Sequence, residues 1–190
     1  MDLLSTSIAH ALPVLRKGGI ILYPTDTIWG IGCDATNDDA IKRIYALKNR
    51  EEKKSLIILV EDANMLTQYV SSPSPILLSH ISSATKPTTA IFKNAINLPG
   101  SLVNEDGSIA IRIPKDDFCI QLIREFQKPL VSTSANISGE KSPQNFEEIS
   151  NEIKNGVDYI VQHRQDDLSK NTPSSIIKLN IKGEIEFIRK

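Results

Sequence analysis

Metal and disulfide chemistry find little material in this sequence. Its two cysteines, Cys33 and Cys119, lie far apart, and neither belongs to a C-x-x-C pair or stands beside a histidine. H-E-x-x-H is absent as well, so neither a structural zinc site nor any other resident metal is expected. Two isolated cysteines fit a reducing compartment, where each packs as a small hydrophobe. No apolar run approaches the ~20 residues that span a bilayer, and the opening Met1-Asp2-Leu3-Leu4-Ser5 lacks the charged start and apolar stretch of a signal peptide. Charge of one sign is missing too. The 22 Lys and Arg nearly balance 23 Asp and Glu, for a net charge of −1. A protein that wraps nucleic acid over its whole surface carries a basic excess, although a local basic patch would still allow weak RNA contact. Familiar nucleophile motifs are also absent, with no G-x-S-x-G elbow and no G-x-x-x-x-G-K-[ST] loop. His10, His80 and His163 fall at helix and turn positions, which argues against a histidine-based triad. The absences together predict a cytoplasmic protein with no membrane attachment.

What is present is an alternation of helical and strand-like segments without repeats or low-complexity tracts. At 190 residues, 40% hydrophobic, the chain suffices for one domain over 1–190 with a sizeable core. Leu3, Leu4, Ile8, Leu12 and Leu15 recur at helical spacing up to Gly18-Gly19. Ile20 to Tyr23 reads as a buried strand. Asn37 can cap a second helix with the stripe Ala40, Ile41, Ile44, Tyr45 and Leu47. Leu56 to Val60 is apolar without alternation, as a strand buried on both faces would be. Two short helices are expected within 62–85, then strands at 89–92 and 108–112, a helix at 116–127 and a strand at 130–133. A helix over 146–153, a strand near 159–161 and a closing hairpin (175–179 with 185–188) complete the pattern, which predicts one main sheet in an α/β or α+β domain with some antiparallel pairing.

Several segments could carry chemistry. Gly30-Ile31-Gly32-Cys33-Asp34-Ala35 matches the dinucleotide fingerprint literally, but Pro24 to Trp29 separate it from the strand and no helix can easily start before Asn37. The fingerprint needs strand, glycines and helix in immediate succession, so these glycines are expected to serve a turn. Pro24-Thr25-Asp26-Thr27 follows a strand end, where open α/β sheets bind ligands, yet the same residues make ordinary polar turns. Lys48-Asn49-Arg50, followed by Lys53-Lys54-Ser55, either complements a helix C-terminus or clamps a polyphosphate. Ser132-Thr133-Ser134-Ala135-Asn136-Ile137-Ser138-Gly139 runs from a buried strand into small polar residues able to surround a phosphate or carboxylate. Arg112, inside an apolar strand, needs a partner: a structural carboxylate or the carboxylate of a ligand. Asp38-Asp39 and Asp116-Asp117 read as helix starts, and Glu147-Glu148 as the solvated face of a helix.

In order and combination these segments resemble the YrdC/TsaC family of L-threonylcarbamoyladenylate synthases. Gly19 to Thr27 with Gly30 to Ala35 is similar to the family's opening signature. Lys48-Asn49-Arg50 resembles its K-x-R motif, Ser134-Ala135-Asn136 its S-x-N motif, and Ile111-Arg112-Ile113-Pro114 its R-[VI]-P element. The likeness runs from about Ile8 to Arg189. It implies a twisted, mixed α/β sheet flanked by helices, with a large concave pocket. It also implies ATP-dependent formation of threonylcarbamoyl-AMP from L-threonine and bicarbonate, pyrophosphate leaving. A partner transferase complex would carry the group to a tRNA adenosine. By the resemblance, Thr25, Arg112, Ser132 and Ser174 would hold threonine. Lys48, Arg50, Ser134, Asn136, Ser142 and Arg189 would surround ATP, the first four serving catalysis, and Mg²⁺ would bridge phosphate oxygens. Trp29 stands in place of the family's Tyr, Glu51 in place of Pro, and Lys86-Pro87-Thr88-Thr89 in place of Gly-Pro-x-Thr. The resemblance implies the short form of the family, ending at Lys190 without the further domain of its longer relatives. The alternatives are a YrdC-fold protein that binds RNA or nucleotide without synthesis, and a carbamoyl-transfer enzyme resembling hydrogenase maturation proteins.

Overall fold

Polar side chains set the helix starts throughout. Asp2 accepts a hydrogen bond from Ser5 N at 2.7 Å and begins α1 (Leu3–Arg16). Asn37, Asp62, Ser74, Asp116 and Ser150 do the same for α2 (Asp38–Leu47), α3 (Ala63–Leu66), α4 (Pro75–Ser83), α5 (Asp117–Phe126) and α6 (Asn151–Asn155). Each satisfies a backbone N–H that the first helical turn leaves without a partner. The computed structural model describes residues 2–50 and 56–190; Glu51, Lys53, Lys54 and Ser55 lie outside them.

The strands are β1 (Ile21–Tyr23), β2 (Gly30–Gly32), β3 (Ile57–Leu59), β4 (Thr88–Phe92), β5 (Ile109–Arg112), β6 (Leu130–Ser134), β7 (Tyr159–Ile160), β8 (Ser175–Leu179) and β9 (Ile185–Arg189). Among the described residues they form one mixed sheet in the order β7-β1-β2-β6-β3-β5-β4-β8-β9. Parallel pairs (β1 with β7, β3 with β5, β4 with β8) are set among antiparallel ones. Side chains alternate across this sheet. Ile21, Tyr23, Leu59 and Leu130 pack on Ile8, Leu12 and Leu15 of α1 and on Phe118, Leu122 and Phe126 of α5. Leu22, Ile31, Ile58, Ile111 and Val131 belong to the other apolar layer, with Ile41 and Ile44 of α2 and Leu77 and Ile81 of α4. Burying one such side chain is worth about 1.5–3 kcal/mol, so helices on both faces hold the central strands.

Two expectations need correction. Gly30-Ile31-Gly32 is not a turn but β2, hydrogen-bonded between β1 and β6. A Cβ on Gly32 would sit 2.4 Å from Val131 O and 2.7 Å from Tyr23 Cε1. The glycine is needed because the Tyr23 ring crosses there, its hydroxyl donating to Val131 O at 3.2 Å. The helix expected over 146–153 is shorter and later. Glu148 folds back to accept from Gln144 N at 2.9 Å, and Asn145 accepts from Glu148 N, so the chain stays irregular until Ser150 caps α6. Glu147-Glu148 therefore lies on a loop, not a helix face.

Candidate active site

Three guanidinium groups converge on one cavity. It holds about 340 Å³ and is lined by Arg50, Arg112 and Arg189, with Thr27, Ser132, Thr133, Ser134, Ser142 and Ser174 supplying hydroxyls and Trp29 part of the wall. No carboxylate lines it among the described residues. Three guanidinium groups and no lining carboxylate favour an anion in the cavity.

Arg112 closes β5 and is only 3% exposed. Its Nη2 lies 3.3 Å from Asp26 Oδ1, and its Nη1 donates to Thr27 Oγ1 at 3.0 Å. Asp26 is itself fixed by Lys115 N, which donates to Oδ2 at 3.0 Å. The Nε of Arg112 is buried with no hydrogen-bond partner. The structural carboxylate is thus Asp26, and Arg112 is also among the residues that line the cavity.

The turn that presents Asp26 and Thr27 is saturated by its own hydrogen bonds. Thr25 Oγ1 donates to Ile28 O at 2.8 Å and accepts from Thr27 N at 3.0 Å. With its single proton used, Thr25 must accept from the Thr27 hydroxyl in their 2.9 Å contact. Thr25 thus has nothing left for a ligand and sits behind the wall, while Thr27 lines it.

At the end of α2, Asn49 adopts a left-handed conformation (φ 47°). Arg50 N then reaches Tyr45 O at 2.9 Å and Asn49 N reaches Ala46 O at 3.0 Å. This paired closure turns the chain out of the helix and delivers Arg50 to the cavity. Lys48 takes the opposite course. Only 1% exposed, its ammonium donates to the carbonyls of Ser134 and Asn136, and its own carbonyl accepts from Ser138 N at 2.8 Å. Burial pushes Lys48 down to about 7, with the Arg50 charge adding to the effect. Burial also lowers Arg50, against an opposing effect of Tyr45. Asn136 donates through Nδ2 to Ile137 O and Glu140 O, at 2.8 and 2.9 Å, which folds the loop on itself. Ser142 Oγ approaches Asn136 Oδ1 at 3.5 Å.

Across the cavity, Arg189 of β9 donates through Nε to Ser174 O at 2.9 Å and through Nη2 to Ser174 Oγ at 3.5 Å. Ser174 Oγ also lies 2.8 Å from Thr89 Oγ1. Burial lowers Arg189, and Arg112 reinforces this.

Of the residues singled out from sequence, Arg50, Arg112, Ser132, Ser134, Ser142, Ser174 and Arg189 line the cavity, whereas Lys48, Asn136 and Thr25 stand one layer behind it. The segment Pro24 to Thr27 supplies more than Thr25: Thr27 lines the cavity and Asp26 answers Arg112's need for a carboxylate. Phe146, which the sequence does not mark, backs Trp29, with ring centroids 4.9 Å apart.

A family model named Sua5/YciO/YrdC, and described as telomere recombination, matches residues 13–190. The chain belongs to the Sua5/YciO/YrdC family. The resemblance stated from the motifs holds. The threonylcarbamoyl-AMP synthase of Pseudoalteromonas translucida is 33% identical over 183 residues, 95% of this chain and 96% of that one. The family fold is matched closely by Escherichia coli YciO, with a TM-score of 0.83 at 24% identity over 96% of this chain and 88% of that one. It is matched also by P. abyssi Sua5 complexed with L-threonine, with a TM-score of 0.81 at 24% identity. That match covers 90% of this chain and 50% of the Sua5 chain, so this chain spans about half of that longer relative. The mixed sheet flanked by helices is the shared architecture. Among the described residues, no helix is long and apolar enough to cross a membrane.

Proposed function

We propose that this chain is a cytoplasmic threonylcarbamoyl-AMP synthase, a nucleotidyltransferase that uses L-threonine, bicarbonate and ATP and releases pyrophosphate. The observation that carries this reading is the cavity lined by Arg50, Arg112 and Arg189 together with Ser and Thr hydroxyls, and by no carboxylate among the described residues. The name of the P. translucida relative, matched along nearly its whole length, points the same way.

The amine of threonine combines with bicarbonate to give a carbamate and water. A carbamate oxygen then attacks the α-phosphorus of ATP, the bond to the bridging oxygen breaks, and pyrophosphate leaves with the electron pair. No protein nucleophile is needed; catalysis consists of alignment and of positive charge facing the leaving group. Arg112 takes the threonine carboxylate, with Ser132 and Ser174 beside it and Thr25 acting through Thr27. Arg50 and Arg189 face the phosphates. Ser134 and Ser142 donate hydroxyls, while Lys48 and Asn136 hold the Ser134 loop in shape. With ATP bound, Lys48 takes up a third proton as the triphosphate charge favours its ammonium form.

Hydroxyls and guanidinium groups are not a donor set that holds a bare divalent cation. Mg²⁺ would therefore come with ATP as its counter-ion, not as a resident of the protein, and would supply charge neutralisation there. The mixed anhydride formed would pass to a transferase complex that modifies a tRNA adenosine, with at most weak RNA contact by this chain.

Pyrophosphate release with ATP, Mg²⁺, bicarbonate and each amino acid in turn tests this reading. Release is expected only when L-threonine and bicarbonate are both present. Binding of ATP or RNA without release under any of these conditions would leave a binding protein built on the same cavity.

A further inference from the structure

Arg164 is the most unusually held charge outside the cavity. It lies on the connection from β7 to β8, whose last residues, Pro173 and Ser174, line the cavity wall. Its backbone is left-handed (φ 62°), a conformation that costs a side-chain-bearing residue energy and persists only where the surroundings enforce it. Its Nη2 lies 2.7 Å from Asp116 Oδ2 and reaches towards Thr25 O at 3.5 Å. Asp116 is the cap of α5, accepting from Cys119 N at 2.9 Å. The Nε of Arg164 is buried without a hydrogen-bond partner. Beside it is a cavity of about 10 Å³, lined by Thr25, Thr27, Gln144, Asn145, Asp167 and Asn171. That is space for roughly one water.

We propose that Arg164 is a positioning residue for the amino-acid subsite, latching the β7–β8 connection and the start of α5 to the turn that aims Arg112. The route is continuous. Arg164 reaches the carbonyl of Thr25; the Thr25 hydroxyl accepts from Thr27; and Thr27 accepts from Arg112 Nη1 at 3.0 Å. A purely structural ion pair would need only Asp116. The further contact of Nη2 with Thr25 O, beside a small polar cavity that Thr27 also lines, is what ties the pair to substrate placement. Arg164 touches no reacting atom; it acts by fixing where Thr27, and through it Arg112, sits. This inference rests on Arg112 binding the amino-acid carboxylate.

Two readouts on the full chain keep the inference separable from the synthase reading. In Arg164→Met the KM for L-threonine is expected to rise roughly ten-fold, with the KM for ATP nearly unchanged, a typical size for coupling through a packed network. Arg164→Lys, which keeps the charge on a shorter side chain that falls short of Asp116 and Thr25 O, is expected to recover only part of the loss. Independently of any turnover, the Nε–H of Arg112 and the amide of Thr27 should shift in the ¹H–¹⁵N spectrum of Arg164→Met, while the amides of Asn49 and Arg50 stay in place. A lowered melting temperature with both KM values and both sets of resonances unchanged would overturn the latch and leave a structural ion pair. If the spectrum shifts as described in a protein that releases no pyrophosphate, the latch stands and the synthase reading fails.

Discussion

Arg112→Gln is expected to lower kcat/KM for L-threonine by about 10²–10³-fold, the usual effect of truncating one partner of a buried, hydrogen-bonded charge pair. The loss has two sources, which can be separated. One is the missing carboxylate anchor. The other is Asp26, 5% exposed at its side chain and left in apolar surroundings with only Lys115 N as a donor. An abandoned buried charge of this kind costs about 3–5 kcal/mol of stability. The double variant Asp26→Asn with Arg112→Gln replaces the ion pair by neutral isosteres. It is expected to recover part of the melting temperature, the rest being lost to the space Gln leaves, while remaining unable to use threonine. Steady-state kinetics with thermal melts on the three variants read both effects. Recovery of threonine use in the double variant would mean that Arg112 acts on the fold and not on the substrate.

A proton is expected to accompany ATP into the site at pH 8. Lys48 is pushed down to about 7 by burial, so the free protein holds it largely neutral there. The neutral amine keeps two N–H groups, enough to satisfy the carbonyls of Ser134 and Asn136. A triphosphate brought alongside favours the charged form, raises the pKa and draws in a third proton. Binding must then weaken as pH rises through 7, because protonation becomes part of the binding cost; below about 7 the ammonium is already charged and no uptake remains. Calorimetry of ATP binding at pH 8, in buffers of differing ionisation enthalpy, measures the protons taken up directly. A positive slope near one proton is expected for the wild type, and none for Lys48→Arg, whose guanidinium stays charged. Equal slopes for the two proteins would place the proton elsewhere. Lys48→Ala leaves both carbonyls of the loop without a donor, and is expected to lose pyrophosphate release as loop shape fails.

Local chemistry made much of the fold legible. Asn37 and Asp116 announce their helices because a capping side chain followed by an apolar 3.6-residue period has few other readings, and the run from Leu56 to Val60 announces a strand covered on both faces. Gly30 to Gly32 was misjudged because glycine suggests a turn wherever the neighbour that requires it is unseen. That neighbour is the Tyr23 ring and the close carbonyl of Val131, a tertiary fact. The irregular stretch from Gln144 to Ser150 escaped for a related reason: Asn145 and Glu148 bond to nearby backbone in competition with a helix.

At the site, residue types were legible but not their depth. Thr25 and Thr27 are equivalent by composition. Only the closure of the turn decides that Thr25 is consumed internally and Thr27 faces the cavity. Lys48 and Arg50 straddle a left-handed Asn49, so adjacent cations point to different layers: one shapes the β6 loop and the other lines the wall. A pattern of charges along a chain specifies what can be bound more readily than which atom does the binding.

The most direct measurement is the mass of the product formed from ATP, L-threonine and ¹³C-bicarbonate. A synthase of this kind yields threonylcarbamoyl-AMP heavier by one ¹³C than the product of unlabelled bicarbonate, in amounts matching the pyrophosphate released. Pyrophosphate with an unlabelled threonyl-AMP would contradict it, showing that the carboxylate of threonine attacks phosphorus and that no carbamate forms.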